Sequence, residues 1–424
     1  MPIVRRSRVP LLPAPSLTVY LVHAGVSAFA FAVMATLASV YRFQEVGLTP
    51  LQLVLVGTVL EATVLLAELP TGVLADAVSR RLSLLVGTVL IGVGFVLEGL
   101  VPTLAAVLLA QAVWGLGAAF ESGAVEAWLS DEIGERAASR AFLRAAQVQQ
   151  AAALVGIPVA ALTGRVSLGL PLVVGGVGFL LLALFLALSM QETGFEPRQG
   201  VDRDPVRGIV GTLRRGVALA RARPLVWTIL GVALFSGASS ETFDRLWEAQ
   251  MIAGPGLPAR IGPPTWFALV AVVTAALGIA SAEVARRALD RADPDGRARR
   301  PLVAALLALT LLQVGAVAAF GLAGRLDLAV SMYLLARVSG RLNAPLYRAW
   351  LNRELEPATR ATAFSAAGVA DALGQVAGGP LLGLVAVAVG MPAAFVGAAM
   401  LLGPAAWLLG RAWRREPHVG PSGA

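Results

Sequence analysis

The 424 residues are 57% hydrophobic and only 14% charged, with a mean hydropathy of +0.76 and a formal charge of +8. So few charges cannot solvate that much apolar surface, which excludes a soluble globular domain and makes a bilayer the natural solvent. There is no cysteine, and the only histidines are His23 and His418, which excludes disulfides, thiolate chemistry and a structural zinc site; no cofactor is expected.

The basic start, with Arg5, Arg6 and Arg8, precedes a long apolar run without a small-residue cleavage site. It reads as the flank of a retained first helix rather than as a signal peptide. A helix crosses a bilayer in roughly 20 apolar residues and satisfies its own backbone. Twelve such runs follow in order: 17–41, 51–74, 82–101, 104–128, 143–163, 170–190, 225–247, 264–284, 302–322, 328–347, 362–388 and 392–410. The fold class expected is therefore an all-α membrane protein. A polar stretch divides the chain into an N-terminal six-helix bundle over 1–190, a linker over 191–224 and a C-terminal six-helix bundle over 225–424.

Most of the 34 basic residues, all of them arginine, fall in alternate loops, in the linker and at the two chain ends. By the positive-inside rule those segments are cytoplasmic, with both termini, in a cell inner membrane. The arginines do not gather on one soluble face, so no nucleic-acid partner is expected.

Two stretches read alike. Ala127-Trp128-Leu129-Ser130-Asp131 follows the fourth run and Ala349-Trp350-Leu351-Asn352-Arg353 the tenth; each resumes with Arg-Ala, at Arg140 and Arg360. Equivalent positions in two halves of like orientation point to duplicated bundles related by an axis along the membrane normal.

Between the second and third runs stands Gly72-Val73-Leu74-Ala75-Asp76-Ala77-Val78-Ser79-Arg80-Arg81-Leu82. It resembles the signature G-x-L-A-D-x-x-G-R-K/R of the major facilitator superfamily, with Ser79 in place of the second glycine. Glu68-Leu69-Pro70-Thr71-Gly72 and Ser122-Gly123-Ala124 resemble the branch of macrolide- and tetracycline-type efflux proteins. The resemblance implies twelve helices in two pseudo-symmetric bundles and a conformational latch of Gly72, Asp76, Arg80, Arg81 and an acid ending the fourth helix, Asp131 or Glu126. Gly72 suits close helix approach, Pro70 a bend or an end to its span, and Asp76 and Arg80 share a face if the helix continues. Gln111 to Gly117 is similar to the fourth-helix pattern R-x-x-Q-G-x-G, but Gln111 stands where that pattern has an arginine linked to proton handling. Gly374 to Gly383, rich in glycine with Pro380, reads equally as a gate hinge or as tight packing.

Charges inside the runs cost about 2.5–3.5 kcal/mol each on insertion scales and need a reason. Glu61, Asp371 and Glu121, with Arg337 and Arg341 one turn apart, read as a proton and substrate path. Two acids of the first half and two arginines of the second meet across a cavity in that reading; ion pairs that merely lock helices are the alternative. Glu241, Asp244 and Arg245, ending the seventh run, read as an outer gate or as an interfacial cap anchored by Trp247. Glu98 reads as interfacial, Glu68 and Glu126 as structural, and His23 as a packing residue or a protonatable site.

The sequence contains no nucleotide-binding P-loop, HExxH or GxSxG. The expectation is a non-enzymatic, monomeric secondary transporter that exchanges protons for an amphipathic organic substrate or antibiotic. A proton-coupled importer of a small metabolite and a non-transporting membrane scaffold or sensor are the alternatives.

Overall fold

A computed structural model describes residues 14–196, 224–292 and 299–415, with five isolated residues between 211 and 221. The N-terminal arginines Arg5, Arg6 and Arg8, most of the linker and His418 lie outside the described residues. Those residues form fourteen helices and no strand. They are α1 (Ser16–Ala35), α2 (Ala38–Gln44), α3 (Pro50–Ala77), α4 (Arg80–Leu100), α5 (Leu104–Glu121), α6 (Ala124–Ile133), α7 (Glu135–Gly164), α8 (Leu170–Ser189), α9 (Pro224–Ala253), α10 (Pro263–Ala292), α11 (Arg299–Gly321), α12 (Leu326–Glu354), α13 (Pro357–Ala388) and α14 (Met391–Arg415).

Taking α1 with α2 and α5 with α6, eleven spans among the described residues are long and apolar enough to cross a membrane. The helix that falls outside this set is α12. It has the length, but Arg337, Arg341, Arg348 and Arg353 lower its apolarity. Two of the expected runs are interrupted. Thr36 and Leu37 separate α1 from α2, and Ser122 with left-handed Gly123 (φ 69°) separates α5 from α6.

Pro70 does not end its helix: α3 runs seven residues past it. Proline removes one backbone donor. The Thr71 hydroxyl beside it bonds the Ala67 carbonyl and, on the neighbouring α5, the Ala119 carbonyl, both at 2.8 Å. Gly72 allows no close approach, because a Cβ added there meets open space.

The Cα atoms group into two compact units. The first comprises residues 1–48, 59–208 and 260–271; the second comprises 49–58, 209–259 and 272–424. In the first, Trp128 and Leu129 lie in a core with Val19, Tyr20, Leu84 and Leu186. A second cluster sets Phe95 edge-on to Trp114 at 5.1 Å and to Phe179 at 5.5 Å. In the second unit the repeat counterparts Trp350 and Leu351 are buried with Val226, Ile229 and Leu402. Both copies of the Ala-Trp-Leu repeat thus place Trp and Leu in the core of their own unit.

Gly374, Gly378, Gly379 and Gly383 of α13 pack tightly against their neighbours. A Cβ on Gly374 would strike the Leu234 carbonyl, and one on Gly378 would come within 2.6 Å of the Ala238 Cα, so α9 lies directly on this helix. Leu51 and Val54, at the start of α3, rest against Gly383 and Gly379 of the same face.

Candidate functional site

At the α3–α4 turn the helix does not continue. Ser79 is extended (φ −176°, ψ 127°) and its hydroxyl caps α4 by accepting the Leu82 N–H at 3.0 Å. An extended residue needs no glycine, so serine fits the position where the superfamily signature has one. Asp76 and Arg80 still meet across the break at 3.6 Å, and Arg80 reaches Asp131 at 2.6 Å. Of the two acids the resemblance offered, Asp131 is the one in contact. Glu126 lies in the first turn of α6, within electrostatic reach of Tyr20.

The segment after α8, which the sequence assigns to the linker, is tied to this cluster. Glu192 accepts the Ser79 hydroxyl at 2.6 Å and the Arg81 N–H at 2.9 Å, while the Arg81 guanidinium donates to the Ala187 carbonyl. The N–H groups of Thr193 and Gly194 donate to Glu132, the Trp128 indole donates to the Gln191 carbonyl, and the Phe195 ring lies 5.9 Å from the Arg80 guanidinium. Ser79→Ala is expected to cost about 1 kcal/mol for the lost cap, with a further loss from the Glu192 bond. A lowered midpoint of thermal unfolding checks it.

Also in the first unit, Glu98 is not interfacial. It is 1% exposed, and Arg42, just past the end of the first expected run, is 3% exposed in α2. Arg42 Nε donates to Glu98 Oε1 at 2.6 Å, and Gln111 Nε2 to Oε2 at 2.7 Å. The residue standing at the expected arginine position therefore shares a carboxylate with an arginine from elsewhere in the fold. Glu121 accepts a hydrogen bond from Thr88, and His23 faces it; Glu68 accepts the Ser122 hydroxyl. Glu61 is half-buried on α3.

In the second unit the two arginines of α12 part company. Arg337 pairs with Asp244 of α9, beside the rings of Phe243 (4.9 Å), Tyr333 (5.4 Å) and Trp247 (6.0 Å). Arg341 turns to α10 and donates to the Thr274 carbonyl. Glu121, bonded to Thr88, and Arg337, paired with Asp244, thus each have a partner inside their own unit. Glu241 and Arg245 pair one turn apart at 2.8 Å, but Glu241 is buried (2% exposed) and presses on Gly57 of α3. Trp247 is no interfacial anchor: it is buried and stacks on Tyr333 at 4.1 Å. Asp371, on α13, accepts one side-chain hydrogen bond, from Gln375 at 2.8 Å. Its main chain and Oδ1 lie where a Cβ of Gly237 would stand.

Sequence reasoning missed the Arg42–Glu98–Gln111 group and a polar set of Thr310, Gln313 and Asn343 joined across α11 and α12. A polar residue in each of two apolar runs was the only available signal. No cluster of three or more metal-ligating side chains occurs among the described residues.

Comparison with known proteins places this architecture. A Bacillus subtilis (strain 168) protein named "Uncharacterized MFS-type transporter YxaM" is 24% identical over 362 residues, covering 83% of this chain and 85% of that protein. Among solved structures, the nucleoside transporter NupG superposes with a TM-score of 0.75 at 13% identity, over 95% of this chain and 100% of that one. A peptide transporter POT in complex with sulfate gives 0.73 at 16% identity, over 95% and 97%. A bacterial homologue of the human lysosomal transporter Spinster gives 0.69 at 17%, over 94% and 96%. At these identities the likeness speaks for the fold alone. The family model described as Major Facilitator Superfamily matches residues 19–340, and with most of its length so matched the chain belongs to that superfamily of transporters.

Proposed function

We propose that this transporter is a proton-coupled exporter of amphipathic organic compounds, antibiotics among them, working by alternating access. It acts as a monomer in the cell inner membrane with both termini cytoplasmic. Residues 1–190 and 225–424 form the two rocking bundles, joined by 191–224. The observation that carries the reading is Asp371: a carboxylate in an apolar helix, with the neutral Gln375 as its one side-chain donor and no arginine bonded to it among the described residues. An acid without a fixed counter-charge can gain and lose a proton as its surroundings change from wet to dry. Glu61 is its partner candidate in the first half. The Asp76–Arg80–Asp131 group acts as the latch, with Gly72 and Arg81 beside it. Glu241, Asp244 and Arg245 act as a gate that turns on the Arg337 pair, with Arg341 further along the same helix. The export direction rests on the likeness of Glu68 to Gly72 and Ser122 to Ala124 to efflux proteins.

The test is transport in proteoliposomes under an imposed pH gradient, across a panel of antibiotics and metabolites. Protons moving against a panel compound support export. Protons moving with a metabolite overturn it in favour of import, and no gradient-dependent flux for any compound favours the scaffold.

A further inference from the structure

In the first unit His23 faces Glu121 across a gap. His23 is 8% exposed, and its Nε2 is buried with no hydrogen-bond partner. It lies 3.9 Å from Glu121 Oε1, too far for a hydrogen bond and close enough to become one after a small rotation. The same oxygen already accepts the Thr88 hydroxyl at 2.5 Å. Room for the carboxylate comes from Gly87, where a Cβ would fall 2.7 Å from Glu121 Cγ.

Several elements converge on Glu121. Glu121 is the last residue of α5, and the chain then breaks at Ser122 and Gly123. The carbonyls next to it are held by hydroxyls of other helices: Ala119 by Thr71 and Phe120 by Ser83. A helix C-terminus carries the negative end of the dipole, so a positive charge gained beside it is favoured. The Ser27 hydroxyl, one turn on, bonds the His23 carbonyl. The neighbouring elements bring few competing charges. From α1 comes Tyr20, from α6 Glu126, and from α3 Glu68, which is bonded to Ser122. Between Arg81 and Glu98, α4 carries no charge; α8 carries none, and α7 has its Arg136, Arg140 and Arg144 exposed in its first half.

We propose that His23 and Glu121 form a proton-binding dyad. A proton from bulk water adds to the imidazole Nε2, the imidazolium closes onto Glu121 Oε1, and the proton returns to water when the pair opens. Its place in a transport cycle rests on the function proposed above, whereas proton uptake itself does not.

The chain has only two histidines, so isotope-labelled histidine in full-length His418→Gln protein gives one imidazole signal. Across a pH series in nanodiscs we expect that signal to pass from the neutral to the imidazolium form, the charge change that suits histidine to proton exchange. Glu121→Gln should move the midpoint of that change measurably, and so should Thr88→Val, which serves if the first variant does not fold. A signal that keeps one neutral form throughout, or a midpoint unmoved in both variants, overturns the dyad. Gradient-driven transport without this titration leaves the exporter standing and removes the dyad; titration without gradient-driven transport does the reverse.

Discussion

Glu98→Ala destabilises the protein by about 3–5 kcal/mol, the cost of leaving a buried charge without its partner. Both oxygens of Glu98 are occupied, one by Arg42 and one by Gln111, and the Tyr41 hydroxyl donates to its main-chain carbonyl at 2.7 Å. All four residues are at most 3% exposed, so water cannot replace what the substitution removes. The Arg42 guanidinium, which already has Nη2 without a partner, then has no counter-charge. Glu98→Gln keeps the shape and one acceptor, so its cost is smaller. The double change Arg42→Met with Glu98→Leu removes both charges and is expected to recover most of the loss, because apolar replacements of a buried pair are often neutral or better. Thermal unfolding in detergent, followed by tryptophan fluorescence, reads all three. A Glu98→Ala protein within about 1 kcal/mol of the parent, the range of an exposed ion pair, would show that water reaches Arg42.

This group also marks the limit of what the sequence discloses. The spans are legible because each needs a long apolar run, and such runs have no other home than a bilayer. The repeat is legible because Trp128 and Trp350 fill matching core positions. Arg42 and Glu98 were not legible as a pair, since 56 positions separate them and each sits near the end of a run, where a charge reads as solvated. The break after Glu121 was hidden for a related reason. Ser122 and Gly123 are small enough to pass for helix residues in an apolar run, yet the non-helical ψ of Ser122 (115°) and the left-handed φ of Gly123 separate α5 from α6. Gln191 to Phe195 looked like the start of a linker by composition. Its anchorage depends on Arg80 and Arg81 of α4 and Glu132 of α6, which a local reading cannot bring to it. The α12 arginines share a face in sequence, yet one meets a carboxylate of α9 and the other a carbonyl of α10. Periodicity gives the face, and the neighbours decide the partner.

Asp371→Asn is expected to abolish gradient-driven transport while leaving the protein folded and able to exchange substrate across the membrane without a gradient. The substitution changes almost nothing but the proton. Asparagine has nearly the volume of aspartate, so the contact with Gly237, where Oδ1 stands 3.0 Å from the position of an added Cβ, is kept. The asparagine carbonyl can still accept the Gln375 amide, now held at 2.8 Å. Stability should therefore stay within about 1 kcal/mol, well short of the cavity or unpaired-charge effects that unfold proteins. What the variant loses is an acid able to be neutral in one conformation and charged in another, and that difference is the only means by which a proton gradient biases one conformation over the other. Transport driven by an imposed pH gradient should fall to the level of empty vesicles. Counterflow, in which labelled substrate enters vesicles preloaded with unlabelled substrate, should persist because it needs no net proton movement. Loss of both activities together would mark Asp371 as part of the substrate contact rather than the proton site. Retention of gradient-driven flux in Asp371→Asn would move the coupling proton to another carboxylate, with Glu61→Gln as the next variant to assay.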